Sequence, residues 1–503
     1  MKAPVLRALL IGITLYALLP LAAEAQPLRY ELGRAVEYGA ESSVTTSFGS
    51  HAPLWLDANR YGLATAKGQQ GYLRAYVERR CEMDSDRTWH AGYGADVAIG
   101  YGLTRPWQLQ QLYFEVECQR SRLTIGQKQQ PMMLKNAELS TGSQALGINA
   151  RPVPAVRYDL NWWNISGHAN VVAIKGHLAF GCMTDGLWQE DYVGRDGRYV
   201  KWALYHDKSA FLRIGNPERF PLTFTGGMEM ATTFGGTAYN PIGYNIEGQT
   251  KIRLPHGFKS FLYALRGKGG SDPTDGEQFA NSAGNTLGAW LFRLSYCADD
   301  WKAHLYYDHF FEDESMLFFQ YGWRDGLYGI ELELPHCKWV SNIVYEHLRT
   351  DYQAGPIYHD TTADISSQIS GTDNYYNHNI YQGWQNYGMA IGNALYASPT
   401  YREDGSLMFT GNRLRAHHLG LSGTPMPNLH YRVLYSYVKD WGTYALPYAD
   451  CRHSRSIMAE VTYNILKQHA ASPWTIKAAF AADRGSRLGN NTGLQFTLSY
   501  HFQ

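Results

Sequence analysis

The side chains best suited to chemistry in this 503-residue chain lie between Thr372 and Leu421. From Asp373 to Tyr387, the rings of Tyr375, Tyr376, Tyr381, Trp384 and Tyr387 are interleaved with Asn374, Asn377, Asn379, Gln382, Gln385 and Asn386. No helical or strand period runs through the segment, so it is not a regular core element. Aromatic faces stack on the apolar faces of pyranose rings, and side-chain amides answer sugar hydroxyls as both donor and acceptor. The same composition also suits an irregular loop that packs on itself. Arg402 and Arg413 flank the segment, and a guanidinium can hold a sugar carboxylate through two parallel hydrogen bonds; Glu403 and Asp404 compete for the same charges. The carbohydrate-binding candidates are therefore Tyr375, Tyr376, Tyr381, Trp384, Gln385, Tyr387, Arg402 and Arg413. A second aromatic stretch, 215–244, carries Phe220, Phe224, Tyr239, Asn240 and Tyr244. One stacking contact contributes on the order of 1 kcal/mol, which a polymer multiplies along its length.

Catalytic and metal chemistry fare worse. His417-His418 is the most conspicuous pair, but adjacent residues of a strand point to opposite faces. One histidine is then expected in a lumen and the other on the outer wall, too far apart to share a metal. His359-Asp360 with Asp364, and Asp308-His309 with Glu312, Asp313 and Glu314, read as hydrated external loop tips, although the second patch also suits Ca²⁺. The stretch Gly267–Gly276 is glycine-rich but lacks the phosphate-cradling P-loop pattern. Six cysteines (Cys81, Cys118, Cys182, Cys297, Cys337, Cys451) show no CxxC spacing, so no zinc site is expected; a Cys81–Cys118 disulfide is the favoured pairing if one forms. No catalytic residue, metal or cofactor is assigned. A formal net charge of zero gives no reason to expect nucleic acid as a partner.

The elements that would position these residues are strands. The chain opens with Lys2 and Arg7, an apolar run from Ala8 to Ala22, and Ala23-Glu24-Ala25, the pattern of a cleaved secretory leader over residues 1–25. The rest holds 37 Tyr, 14 Trp, 19 Phe and 50 Gly, with only 18% charged residues. Residue-by-residue alternation recurs throughout. At the C-terminus Leu494, Phe496, Leu498, Tyr500 and Phe502 share one face, while Gln495, Thr497, Ser499 and His501 share the other. A transmembrane barrel strand alternates in this way because one face meets lipid and the other water. Similar segments lie near 474–482, 456–465, 431–437, 413–421, 338–347, 325–334, 301–308, 287–297, 258–266, 245–254, 208–214, 199–205, 171–182, 121–127, 110–118, 91–101 and 71–81, with weaker ones near 41–49 and 153–162. Between them, short connections (466–473, 422–429, 335–337, 298–300, 255–257) take turns with longer ones (439–454, 348–412, 309–324, 267–286, 215–244). Short periplasmic turns alternating with long external loops define an outer-membrane barrel. The expectation is an all-β, antiparallel barrel of about 18 strands over residues 71–503, with long external loops at 215–244 and 348–412. Residues 26–70 form a first strand, a plug or a periplasmic piece, since Pro53–Gly62 has helix-like spacing.

Several of these segments together resemble the Wzi capsule-assembly family, in the form found in Bacteroidetes: Pro53–Gly62, Gly226–Gly236, Asp373–Asn393 and Asn412–Gly420. The resemblance covers essentially the whole mature chain. It implies an 18-stranded outer-membrane barrel with helical elements toward the periplasm. It further implies a lectin that holds exported capsular polysaccharide at the cell surface; the expected working unit is a monomer, with the polysaccharide and outer-membrane lipid as partners. It also implies that, of up to 20 candidate strands, a pair around 41–81 lies outside the barrel. A porin-like channel for small solutes and an outer-membrane enzyme acting on lipid or glycan are the alternative functions.

Overall fold

The computed structural model describes residues 35–81, 88–194, 196–216, 218–241, 248–266, 284–312, 317, 324–355, 372–381, 383–402, 404–467 and 470–502. The leader, the glycine-rich loop at 267–276, the His359-Asp360-Asp364 group, Asp313, Glu314 and Tyr244 lie outside them.

Eighteen antiparallel strands form one closed barrel. They are β1 (Glu37–Phe48), β2 (Gln69–Arg79), β3 (Trp89–Tyr101), β4 (Trp107–Cys118), β5 (Ser121–Gln127), β6 (Ala155–Asn164), β7 (Val172–Cys182), β9 (Leu204–Ile214), β10 (Leu222–Phe234), β13 (Asn285–Cys297), β14 (Lys302–Glu312), β15 (Gly326–Glu333), β16 (Asn342–Arg349), β19 (Leu414–Met426), β20 (Leu429–Gly442), β21 (Pro447–Lys467), β22 (Ala470–Arg484) and β23 (Asn491–Phe502). The circle closes where β1 pairs with β23, from Tyr38 opposite Phe502 to Phe48 opposite Thr492. Two small sheets stand apart, one of β8 (Tyr199–Lys201), β11 (Thr237–Tyr239) and β12 (Lys251–Arg253), the other of β17 (Gln385–Asn386) and β18 (Met389–Ala390).

The strands form because each satisfies two solvents at once. Val44, Leu73, Ile125, Leu212, Leu305, Ile330, Leu494 and Phe496 are large, apolar and exposed. Their strand neighbours Ser43, Thr45, Thr124, Gln495 and Thr497 are polar and buried. This arrangement, apolar outside and polar inside, inverts that of a water-soluble sandwich. Exposed tryptophans mark both ends of the band: Trp107 and Trp202 at the far end, and Trp163, Trp301, Trp339 and Trp474 at the near end, which also carries both termini of the barrel. No helix among the described residues is long and apolar enough to cross a membrane.

Short near-end turns alternate with mostly longer far-end connections, but several of the long ones do not stand out into solvent. Three of them, 49–68, 128–154 and the described parts of 350–413, enter from the far end and fold back into the lumen. Their cores are Leu54, Trp55 and Leu56 from the first, Leu139 and Ala145 from the second, and Tyr375, Tyr376, Trp384, Tyr396 and Phe409 from the third. All pack against inward-facing wall residues such as Tyr306, Phe310, Leu434 and Met458. The barrel therefore contains a plug built from its own loops.

Several expectations are corrected. Both strands near 41–81 belong to the barrel, as β1 and β2, and the region 26–70 contributes a wall strand as well as one turn of helix, Leu54–Asp57. The surplus candidates are elsewhere. Segment 199–205 holds the short strand β8 and the first two residues of β9, the described part of 245–254 holds only the short strand β12, and Phe258–Arg266 is a helix. Conversely, the expected loop 215–244 contains β10, whose far half is buried on both faces and so shows no alternation. Residues 255–257 thus lie within a long connection, and most of 439–454 is strand. Cys81 and Cys118 are both free thiols. Asp308 and Glu312 sit on β14 as buried wall residues, not at a loop tip. The separation of His417 from His418 holds: His418 is buried and bonded to Ser436 Oγ at 2.7 Å and the Leu139 carbonyl at 2.7 Å, while His417 lies outside against Tyr345 and His347.

Candidate functional site

Three inward loops can meet only if their backbones approach closely. Gly147 and Gly392 make that approach. A Cβ on Gly147 would stand 2.5 Å from the Gly392 carbonyl, and one on Gly392 would strike the Tyr376 hydroxyl and the Gln144 carbonyl. Across this contact the Trp384 indole N–H donates to the Ala145 carbonyl at 2.8 Å, and Asn149 Nδ2 donates to the Ala390 carbonyl at 3.0 Å. The wall holds the same loops with buried carboxylates. Glu346 accepts from the Ser140 hydroxyl (2.5 Å), the Thr141 N–H (2.8 Å) and hydroxyl (2.6 Å), and the Tyr306 hydroxyl (2.7 Å).

The sequence candidates divide among three places. Tyr375, Tyr376 and Trp384 form one packed cluster, each 0% exposed. Tyr376 stacks on Tyr396 at 4.0 Å, Tyr375 meets Phe310 edge-on at 4.5 Å, and Trp384 faces Tyr205 at 6.1 Å. Their faces are against protein, and the contacts they make are those of a core. Tyr381 is buried in a separate cluster with Val200, Ala238 and Leu254 beneath the small outer sheet. It is reached through a turn in which His378 Nδ1 accepts from the Ile380 and Tyr381 N–H groups at 3.0 and 3.3 Å. Burial beside Arg198 pushes His378 down to about 4, so the ring is neutral and can accept. Gln385 and Tyr387 belong to the hairpin β17–β18. Positive φ at Tyr387 (53°) and Gly388 (77°) makes it a tight two-residue turn, and Gln385 Oε1 accepts the Gly388 N–H at 2.6 Å. Arg402 is paired with Asp404, and Arg413 lies 4.0 Å above the Tyr444 ring.

One candidate does face a cavity-lining cation. The Arg151 guanidinium stacks 3.8 Å above the Tyr387 ring, whose hydroxyl donates to the Thr184 carbonyl at 3.0 Å. Arg151, 5% exposed, lines a small cleft of about 100 Å³ between the plug and strands β5, β6, β7 and β9. Tyr61, Lys128, Arg157, Tyr205, Asp207 and Ile391 also line it, so all three inward loops and the wall contribute to it. The other charges are matched: Lys128 with Glu115 at 2.5 Å, and Arg157 with Asp207 at 3.2 Å and Asp159 at 2.9 Å. Arg151 has no carboxylate partner among the described residues. Its Nη2 donates to the Leu109 carbonyl at 3.1 Å, while Nε and Nη1 are buried without an acceptor. Burial pulls its pKa below the usual arginine value. The cleft thus carries one unneutralised cation beside an aromatic ring, an arrangement that can receive a carboxylate or another anion. The sequence reading missed Arg151, Tyr61 and Lys128. The available signal was the long break between the strands near 121–127 and 153–162.

No protein-family model matches the chain, and no curated protein matches it in sequence. Among solved structures, it is similar to Wzi of Escherichia coli, an outer-membrane protein involved in group 1 capsule assembly and described as a carbohydrate-binding β-barrel. The TM-score is 0.55 at 13% identity, covering 94% of this chain and 86% of that one. Fainter likenesses join it to OprD of Pseudomonas aeruginosa (TM-score 0.43, 9% identity, 93% of this chain and 94% of that one) and OccAB2 of Acinetobacter baumannii (0.46, 9%, 93% and 97%). The fold is therefore that of a closed, 18-stranded outer-membrane β-barrel.

Proposed function

We propose that this protein is an outer-membrane lectin that retains capsular polysaccharide at the cell surface and acts by binding, not turnover. The observation that carries the reading is the plug. A barrel of this strand number has room for an aqueous channel, yet here three long loops occupy the lumen and are cross-bonded to one another and to the wall. That investment suits a surface that must hold its shape against a polymer. The likeness to a carbohydrate-binding barrel supports the same reading, and the unneutralised Arg151 favours an acidic polymer.

A channel for small solutes is the competing reading, favoured by the cleft that remains beside the plug. Two measurements separate them. Planar-bilayer recordings of the purified protein are expected to show no stable open pore. Cells lacking the protein are expected to shed capsule, seen as reduced surface staining with polymer released to the medium. Wild-type capsule density in the deletion strain, together with a steady ion-conducting pore, would reject the lectin reading in favour of the channel.

A further inference from the structure

Strands β7, β9 and β10 present exposed outward side chains, most of them apolar, up to Leu178, Ala210 and Phe224. Above that level the outer wall changes character. His206 faces outward yet is fully buried, and Lys208 follows it on the same face. What covers them is the helix Phe258–Arg266. Its Phe261 ring stacks on Phe180 at 4.1 Å, Phe180 stacks on His206 at 4.2 Å, and Lys208 Nζ donates to the Leu265 carbonyl at the helix C-terminus. Ala264, 1% exposed, marks the side set against the barrel. The helix therefore lies on the outside of the barrel, where the lipid-facing band ends at the far rim.

Its sequence, FKSFLYALR, is strongly amphipathic. Phe258, Leu262 and Leu265 follow one another on one side, adjoining the apolar band, and Phe258 is 50% exposed. Lys259 and Arg266 are seven residues apart, two turns, and project together about a quarter turn from that apolar side, directed away from the barrel-facing Ala264. Arg253 and His256, bonded at 3.1 Å, lead into the same edge. Lys208, Arg253, Lys259 and Arg266 have no carboxylate partner among the described residues. An apolar side continuous with the hydrocarbon-facing wall, topped by unpaired cations, is the pattern of a helix lying in a membrane interface. We infer that Phe258–Arg266 is an interfacial helix that holds the phosphate groups of a phosphorylated lipid in the outer leaflet. This inference rests on the barrel alone and is independent of the polysaccharide reading.

The test uses the full-length barrel in mixed micelles with diphosphorylated lipid A or its dephosphorylated form, with lipid retention read by native mass spectrometry. The wild-type protein is expected to retain the phosphorylated form in clear preference. The pair K259Q/R266Q is expected to weaken that retention about 30-fold, two cations acting near an anionic surface, with heat-modifiable gel mobility unchanged. Equal retention of both lipids by the wild-type protein, a comparison that needs no variant, overturns the inference. So does displacement of the lipid by a soluble acidic polysaccharide, which would assign the cations to the polymer.

Discussion

Lys135, on an inward loop, and Asp308, on β14, form an ion pair at 2.6 Å with side chains 0% and 1% exposed. The pair fastens the plug to the wall where no water screens it. Each group was desolvated at a cost of several kcal/mol and depends on the other to recover it. Lys135→Met is therefore expected to destabilise the plug by about 3–5 kcal/mol, because Asp308 is left charged and alone. The double change Lys135→Met with Asp308→Leu should be far milder. Limited proteolysis of the 128–154 loop in both variants checks this, and equal protection in the single variant and wild type would contradict it.

Trp384 fills the centre of the plug and spends its one donor on Ala145. Trp384→Ala is expected to cost about 3–5 kcal/mol through the cavity left behind, plus the orphaned carbonyl. Thermal unfolding in detergent should fall by several degrees. If stability is unchanged while polymer affinity drops, the ring is a sugar contact after all and its burial is relieved on binding.

Asp57 gives the plug a pH dependence. Burial raises its pKa from 3.8 to about 7, against the opposing effects of Tyr401 and Arg60. The folded state therefore holds this proton more tightly than the unfolded chain does. Below about pH 4 the group is protonated in both states and costs nothing. As pH rises from 4 to 7 stability falls, by up to about 4 kcal/mol at 1.36 kcal/mol per unit, and above 7 the loss is constant. Asp57→Asn should flatten that segment of the pH–stability curve, raising the melting temperature at pH 8 more than at pH 4.

Arg151 should distinguish acidic from neutral polymers. A charge-assisted hydrogen bond contributes about 1.5–3 kcal/mol, so Arg151→Met is expected to weaken binding of a uronate-containing polysaccharide about 10- to 100-fold and leave a neutral one unchanged. Isothermal titration with both polymers reads the difference. A uniform loss would indicate a structural role through the Tyr387 stack.

The wall was far more legible than the plug. Strands such as β23 show in sequence because lipid and lumen impose opposite demands on alternate residues. All of β10 was missed, because Glu229–Phe234 is buried on both faces, which erases the period, and only Leu222–Thr225 alternates clearly. Phe258–Arg266 was misread as a strand although its apolar side chains at 258, 261, 262 and 265 follow the i, i+3, i+4, i+7 spacing of a helix; at nine residues it has the length of a barrel strand, and that length was given too much weight. For Tyr375, Tyr376 and Trp384, composition alone does not say whether a ring meets sugar or protein. Their partners include Gln144 and Ala145, more than 200 residues away, and that pairing exists only once the sheet has curled.

All three plugging loops leave and re-enter the lumen through the far end, each tethered by both its ends to the barrel rim. The plug is therefore not a cork that a pull from the near side can draw out. Traction toward the near end is resisted by those tethers as well as by the bonds to Glu346, Asp308 and Asp483, whereas displacement toward the far end is opposed by the bonds alone. Mechanically the plug is held more firmly against a pull toward the near end than against one toward the far end.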